Sequence, residues 1–220
     1  MPWLPGTLKL SNHNKFLAVA FNDLGVGMYT VGSNGVLAAV PGSPFPASSG
    51  AEGFGDTERD CATTFVYLPE TFDKIDIFTI ASNGVLALIA GSPFTSPADN
   101  VVAVLSPSQK SLFTTNQSTG VNGFRALSRG SVKNLSWSPF NAGLVSSGGL
   151  SINNAGTILF ASDFGGVTTE FSVMKVGKKG ALMLAPGSPV STGQDGGVFS
   201  LIAYPPKTCP ASEGASLSAN

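Results

Sequence analysis

Glu58, Arg59 and Asp60 stand side by side at the end of GAEGFGDTERD, residues 50–60, the most charged stretch of the chain. Carboxylates coordinate hard cations and accept hydrogen bonds from sugar hydroxyls. A long polar connection on a rigid scaffold often carries function, so this segment is the first place to look for a ligand contact. A solvated loop with a local ion pair is the alternative. Other constellations are missing. The single histidine, His13, lies in the polar stretch NHNK, and Cys61 and Cys209 have no C-x-x-C spacing, so no zinc or redox motif is present. The two cysteines allow one disulfide or two independent thiols. The glycines of residues 50–55 lack the strand–helix setting of a dinucleotide loop, and no Walker sequence occurs. No cofactor or metal is expected.

The elements that position these groups follow from composition and repetition. The 220 residues include 27 Gly and 15 Pro, only 11% are charged, and 42% are apolar. Gly and Pro at this density exclude long helices, and short runs of Val, Ile, Leu, Phe and Thr between turn residues predict an all-β fold. GSNGVLAAVPGSPF (residues 32–45) reappears as ASNGVLALIAGSPF (residues 81–94), then in weaker form as LSRGSVKNLSWSPF (residues 127–140) and GKKGALMLAPGSPV (residues 177–190). In each copy a turn glycine (Gly35, Gly84, Gly130, Gly180) precedes by nine residues a proline (Pro44, Pro93, Pro139, Pro189) that follows a serine. A period near 50 residues marks a solenoid, propeller or array.

Upstream of each glycine lie an aromatic-led strand (MYTV, IFTI, FRAL, FSVM), an earlier strand (FLAVAF, TFVYL, LFTT, ILFAS), and a polar turn after an apolar strand, clearest in LKLSNHNK, VAVLSPSQK and LSINNAG. The glycine supplies the positive φ of a hairpin, and the proline is expected to end the fourth strand. Four antiparallel strands per period define a β-propeller blade. Blades are expected at about residues 7–45, 54–94, 100–140 and 148–190, with an extra strand at 197–204 (GVFSLIAY), all within one domain spanning 1–207, and a disordered tail at 208–220. The S-P-S-Q-K and N-N-A-G turns, the S-N-G-x-L hairpin and the P-G-S-P-F blade ending resemble those of the YVTN-repeat, 6-phosphogluconolactonase-like propellers, over about residues 7–207. The resemblance implies a partial seven-bladed ring, the C-terminal portion of such a protein. A closed four-bladed ring and an eight-bladed ring of two chains are the alternatives.

In a propeller the loops joining strand two to three, and strand four to the next strand one, gather on one face around the channel. On this reading that face receives Asp23, Glu52, Asp56, Glu58, Asp60, Glu70, Asp73, Asp99, Asp163 and Asp195, while Lys15, Lys110, Arg129, Lys178 and Lys179 fall on the reverse. Asp23, Asp60, Glu70, Asp73, Asp99 and Asp195 are the candidate ligand-binding set. Local hydrogen bonding within turns is the competing role for such acids. Lactone hydrolysis, which the resemblance implies, needs a general base for water and a cationic or hydrogen-bonding group for the oxyanion. Glu58, Arg59 and Asp163 are the candidate catalytic set. His13 falls on the reverse face, so the histidine of the muconate-lactonising relatives has no counterpart here.

The functional expectation is a lactone hydrolase acting on a sugar-like small molecule. The alternative is a non-catalytic extracytoplasmic propeller that binds a ligand or protein. A net charge of −1 gives no reason to expect nucleic acid, and no apolar run approaches the ~20 residues of a membrane span. Exposed flanks of the terminal blades would favour self-association. The low charge suits an exported bacterial protein, although MPWLPGTLKL has no signal-peptide pattern; otherwise a cytoplasmic location is expected.

Overall fold

A computed structural model describes residues 5–11, 15–21, 24–48, 57–62, 64–118, 120–164, 169–196 and 202–203. Four antiparallel sheets follow one another along the chain, one per repeat. The first contains β1 (Pro5–Leu10), β2 (Phe16–Phe21), β3 (Gly25–Val31) and β4 (Leu37–Ala39). The second contains β5 (Glu58–Arg59), β6 (Phe65–Glu70), β7 (Lys74–Ile80), β8 (Leu86–Leu88) and β9 (Phe94–Thr95). The third contains β10 (Ala103–Leu105), β11 (Ser111–Thr115), β12 (Gly120–Ala126), β13 (Val132–Asn134) and β14 (Phe140–Asn141). The fourth contains β15 (Ser147–Ile152), β16 (Ile158–Asp163), β17 (Glu170–Val176), β18 (Leu182–Leu184) and β19 (Val190–Ser191). No α-helix occurs among the described residues.

Each blade is closed by the same device. The peptide before the repeat proline is cis at Ser43-Pro44, Ser92-Pro93, Ser138-Pro139 and Ser188-Pro189. The serine Oγ accepts the third-strand N–H of Met28, Ile77, Gly123 or Val173 at 2.7–2.9 Å. This satisfies a donor where the ladder is interrupted, and a buried unpaired N–H would cost about 1–3 kcal/mol. The prolines were expected to end the fourth strand. Instead the chain rejoins the third strand beyond them, with Phe45 bridging Val26 and with β9, β14 and β19 pairing to β7, β12 and β17. The repeat serines are therefore backbone plugs.

Side-chain alternation then stacks the blades. Three hydrophobic clusters fill three seams. Phe16, Ala18 and Met28 meet Val66, Leu68 and Phe78 between the first two blades. Tyr67, Ile75 and Ile77 meet Leu105, Leu112 and Phe124 in the second seam, and Val104, Phe113 and Val121 meet Ile152, Leu159 and Met174 in the third. In β6 the even-numbered residues face the preceding blade while Tyr67 faces the following one, as the strand period of two requires.

The hairpin glycines share one conformation, with φ of 79°, 87°, 81° and 80° at Gly35, Gly84, Gly130 and Gly180. In the interior seams they also allow close approach. A Cβ on Gly84 would lie 2.6 Å from the Phe16 ring, and one on Gly130 would lie 2.6 Å from Phe65. Gly35 has open space around it, because its blade leads the arc. The flank there is apolar and open, with Leu8, Leu10 and Leu37 exposed. Of the expected strand at 197–204, only Ile202 and Ala203 are among the described residues; the Ala203 N–H donates to Ser151 Oγ on β15 at 2.9 Å. The tail at 208–220 lies outside them.

Candidate active site on the upper face

The upper face, where strands two and three connect and each blade passes to the next, carries a belt of buried polar side chains. Two positions recur. One is the end of the second strand or the residue just after it: Glu70, Asn116 and Asp163. The other is the third residue of strand three: Asp76, Asn122 and Ser172. In the second blade, Leu68 pairs with Asp76, so Glu70 and Asp76 are diagonal neighbours on the face turned to the first blade. They are 2% and 0% exposed. Asp76 Oδ2 accepts the Ser48 N–H at 2.5 Å, and Oδ1 accepts the Ser48 hydroxyl at 2.8 Å. Neither Glu70 oxygen finds a donor. A retained proton resolves this, because protonated Glu70 donates to the Asp76 carboxylate. Burial, that hydrogen bond and the Asp76 charge push Glu70 up to about 8, with Lys74 opposing weakly. Ser48 is exposed. The result is a chain from a solvent-facing hydroxyl through one carboxylate to a carboxyl that holds its proton at neutral pH.

The other upper-face candidates are distributed along the arc. Asp73 is exposed in the hairpin after β6, and Asp99 is half-buried in the connection to the third blade. Burial, and then the Asp73 carboxylate, raise Asp99 above the ordinary carboxylate range. Asp163 is buried in the third seam, where its Oδ1 accepts the Ser146 N–H at 2.9 Å. Asp195 is exposed beyond β19. Asp23, Glu52, Asp56 and His13 lie outside the described residues.

Glu58, Arg59 and Asp60 sit differently from their expected loop. Glu58 and Arg59 form the innermost strand of the second blade, so their side chains point to opposite neighbours. Glu58 accepts the Arg59 N–H at 2.8 Å and the Leu105 N–H at 3.3 Å, tying the second blade to the third. Arg59 Nε donates to the Leu10 carbonyl of the first blade at 2.6 Å. Burial pulls its guanidinium below the usual value, against the attraction of Glu58 and Asp60. The three candidate catalytic residues therefore occupy three different seams.

Asp60 is carried to the reverse face. The chain reaches its strand at Glu58, so Asp60 falls after that strand rather than before it. Its Oδ1 accepts the N–H groups of Thr64 and Phe65 at 2.6 and 2.8 Å. Ser11 and Asn153 close the same turn in the first and fourth blades. Burial raises Asp60, and these hydrogen bonds oppose the rise. Sequence reasoning missed Ser48 and Asp76. The available signal was an aspartate inside the otherwise apolar strand KIDIFTI.

No protein-family model and no curated protein matches the chain. Solved structures do match. The periplasmic gluconolactonase PpgL of Pseudomonas aeruginosa is 20% identical with a TM-score of 0.66, covering 82% of this chain and 55% of its own. A Bacteroides fragilis protein provisionally named a 6-phosphogluconolactonase is 15% identical with a TM-score of 0.68, over 90% and 57%. A functionally unknown protein of Desulfotomaculum acetoxidans is 16% identical with a TM-score of 0.68, over 90% and 62%. The chain has the fold of the lactonase-like β-propellers and spans little more than half the length of these proteins.

Proposed function

We propose that this chain forms part of a propeller that hydrolyses a lactone of a sugar-like small molecule at its upper face. The observation that carries the reading is the Ser48–Asp76–Glu70 chain. Lactone hydrolysis requires removal of a proton from the attacking water and delivery of one to the departing ring oxygen. A carboxyl poised near 8 beside a carboxylate can do both in turn, with the exposed Ser48 hydroxyl as the contact to solvent and substrate. Asp163 is a second carboxyl on the same face and remains a candidate base. Glu58 and Arg59, each bonded across a seam, act as positioning residues that hold the inner strands. The gluconolactonase among the similar structures supports the choice of substrate class.

The test is hydrolysis of glucono-δ-lactone and its 6-phosphate, followed by acid release in weakly buffered solution. Turnover should fall at least tenfold in Asp76→Asn and Glu70→Gln, and its pH profile should lose the limb near 8 in Glu70→Gln. No turnover by the full-length protein, or unchanged turnover in Asp76→Asn, Glu70→Gln and Asp163→Asn alike, would overturn the proposal.

A further inference from the structure

On the reverse face the seam between the second and third blades holds a cavity of about 430 Å³, walled by Phe65, Tyr67 and Leu105 and carrying Asp60 and Arg129. The equivalent space in the first seam is nearly closed, at about 10 Å³. There Arg59 reaches the Leu10 carbonyl, and Ile80 stands at the end of the third strand. In the second seam Leu105 and Ala126 take those two places, and the smaller side chains leave the space open. Cys61, at the rim, is disulfide-bonded. The volume suits a small molecule, since sites for such ligands hold roughly 300–1,000 Å³.

The cavity carries two charges of opposite sign, and among the described residues no ion pair joins them. Asp60 closes a turn that the other blades close with the neutral Ser11, Ser106 and Asn153, so the turn itself does not call for a charge. Only Oδ1 serves the turn, and no described donor reaches Oδ2. Arg59, the adjacent cation, turns away to the first blade. Arg129 is exposed in the Ser128–Gly130 turn, at the place that Asn34 and Asn83 hold in the first two blades. We propose that this cavity binds a small zwitterion with an apolar side chain, of the amino-acid class, its ammonium on Asp60 and its carboxylate on Arg129. The ammonium donates to Oδ2, and the guanidinium fork takes the carboxylate through two parallel N–H groups. The apolar side chain lies against Phe65, Tyr67 and Leu105, and the two aromatic rings add attraction for the ammonium. Burial, and then the Asp60 and Glu58 charges, hold the Tyr67 phenol well above its ordinary value, so it stays neutral and sets no third charge in the site.

The test is calorimetric titration of the full chain, without reductant, with L-phenylalanine and L-leucine. One molecule should bind per chain. N-acetylphenylalanine, which lacks the ammonium, and 2-phenylethylamine, which lacks the carboxylate, should each bind at least tenfold more weakly than phenylalanine. Asp60→Asn keeps the turn, as Asn153 does in the fourth blade, and should weaken binding at least tenfold. Arg129→Asn, which restores the residue of the first two blades, should do the same, with circular dichroism that of the parent in both variants. No binding of either amino acid at millimolar concentration, equal binding of an analogue lacking one charge, or unchanged binding in either variant would each overturn the proposal.

Discussion

The first and second seams place different chemistry at the same two positions. In the second seam these are Asn116 and Asn122, and the Asn122 amide lies within 3.1–3.2 Å of Ser96 Oγ, the Ala98 and Asp99 carbonyls and Asn100 Oδ1. Asn100 in turn donates to the Lys74 carbonyl, and its Oδ1 accepts from Ser96 and Thr114. An amide carries donors and an acceptor together, so this network closes at any pH. In the first seam the positions hold Glu70 and Asp76, which as carboxylates can only accept. That seam closes only while one proton is kept. The comparison separates a structural use of these positions from a titrating one, and it explains why the titrating seam is the better place to look for catalysis.

The largest effect is expected where the amide network is broken. Asn122→Ala should lower stability by about 2–3 kcal/mol, because it strands several buried acceptors at once. Denaturant midpoints should show the same loss at pH 5 and pH 9. A loss that depends on pH would mean the two seams are not distinct. Glu70→Gln should act in the opposite way. The folded-state value of Glu70 lies above the unfolded one, so its contribution is fully present below about pH 4.5 and is lost as pH rises toward 8. The variant should match the parent at pH 4 and exceed it at pH 9, on the order of 1–2 kcal/mol once solvent near the upper face is allowed for. The smallest change is expected from Ser48→Ala. It removes one hydrogen bond to Asp76 but keeps the backbone one, and should cost about 1 kcal/mol or less. Denaturant midpoints of the variant and the parent should show that small loss.

The repeat was legible because blade closure uses residues with few substitutes. Gly35, Gly84, Gly130 and Gly180 need positive φ, and the serine before each proline must plug a backbone donor. The candidate site was less legible. Charged loops suggested Glu58, Arg59 and Asp60, but a two-residue strand cannot be seen by alternation, and its presence moved Asp60 to the other face and turned Glu58 and Arg59 into ties between blades. Ser48 and Asp76 are 28 residues apart and become neighbours only through the packing of the first blade on the second. Whether Cys61 is paired is likewise a matter of tertiary distance that a count of two cysteines leaves open.

The most direct test is a carbon-detected NMR titration of the Glu70 side-chain carboxyl in the folded protein. The account predicts a midpoint near 8, falling markedly in Asp76→Asn as the neighbouring charge disappears. A midpoint in the ordinary glutamate range, unmoved by that substitution, would contradict it.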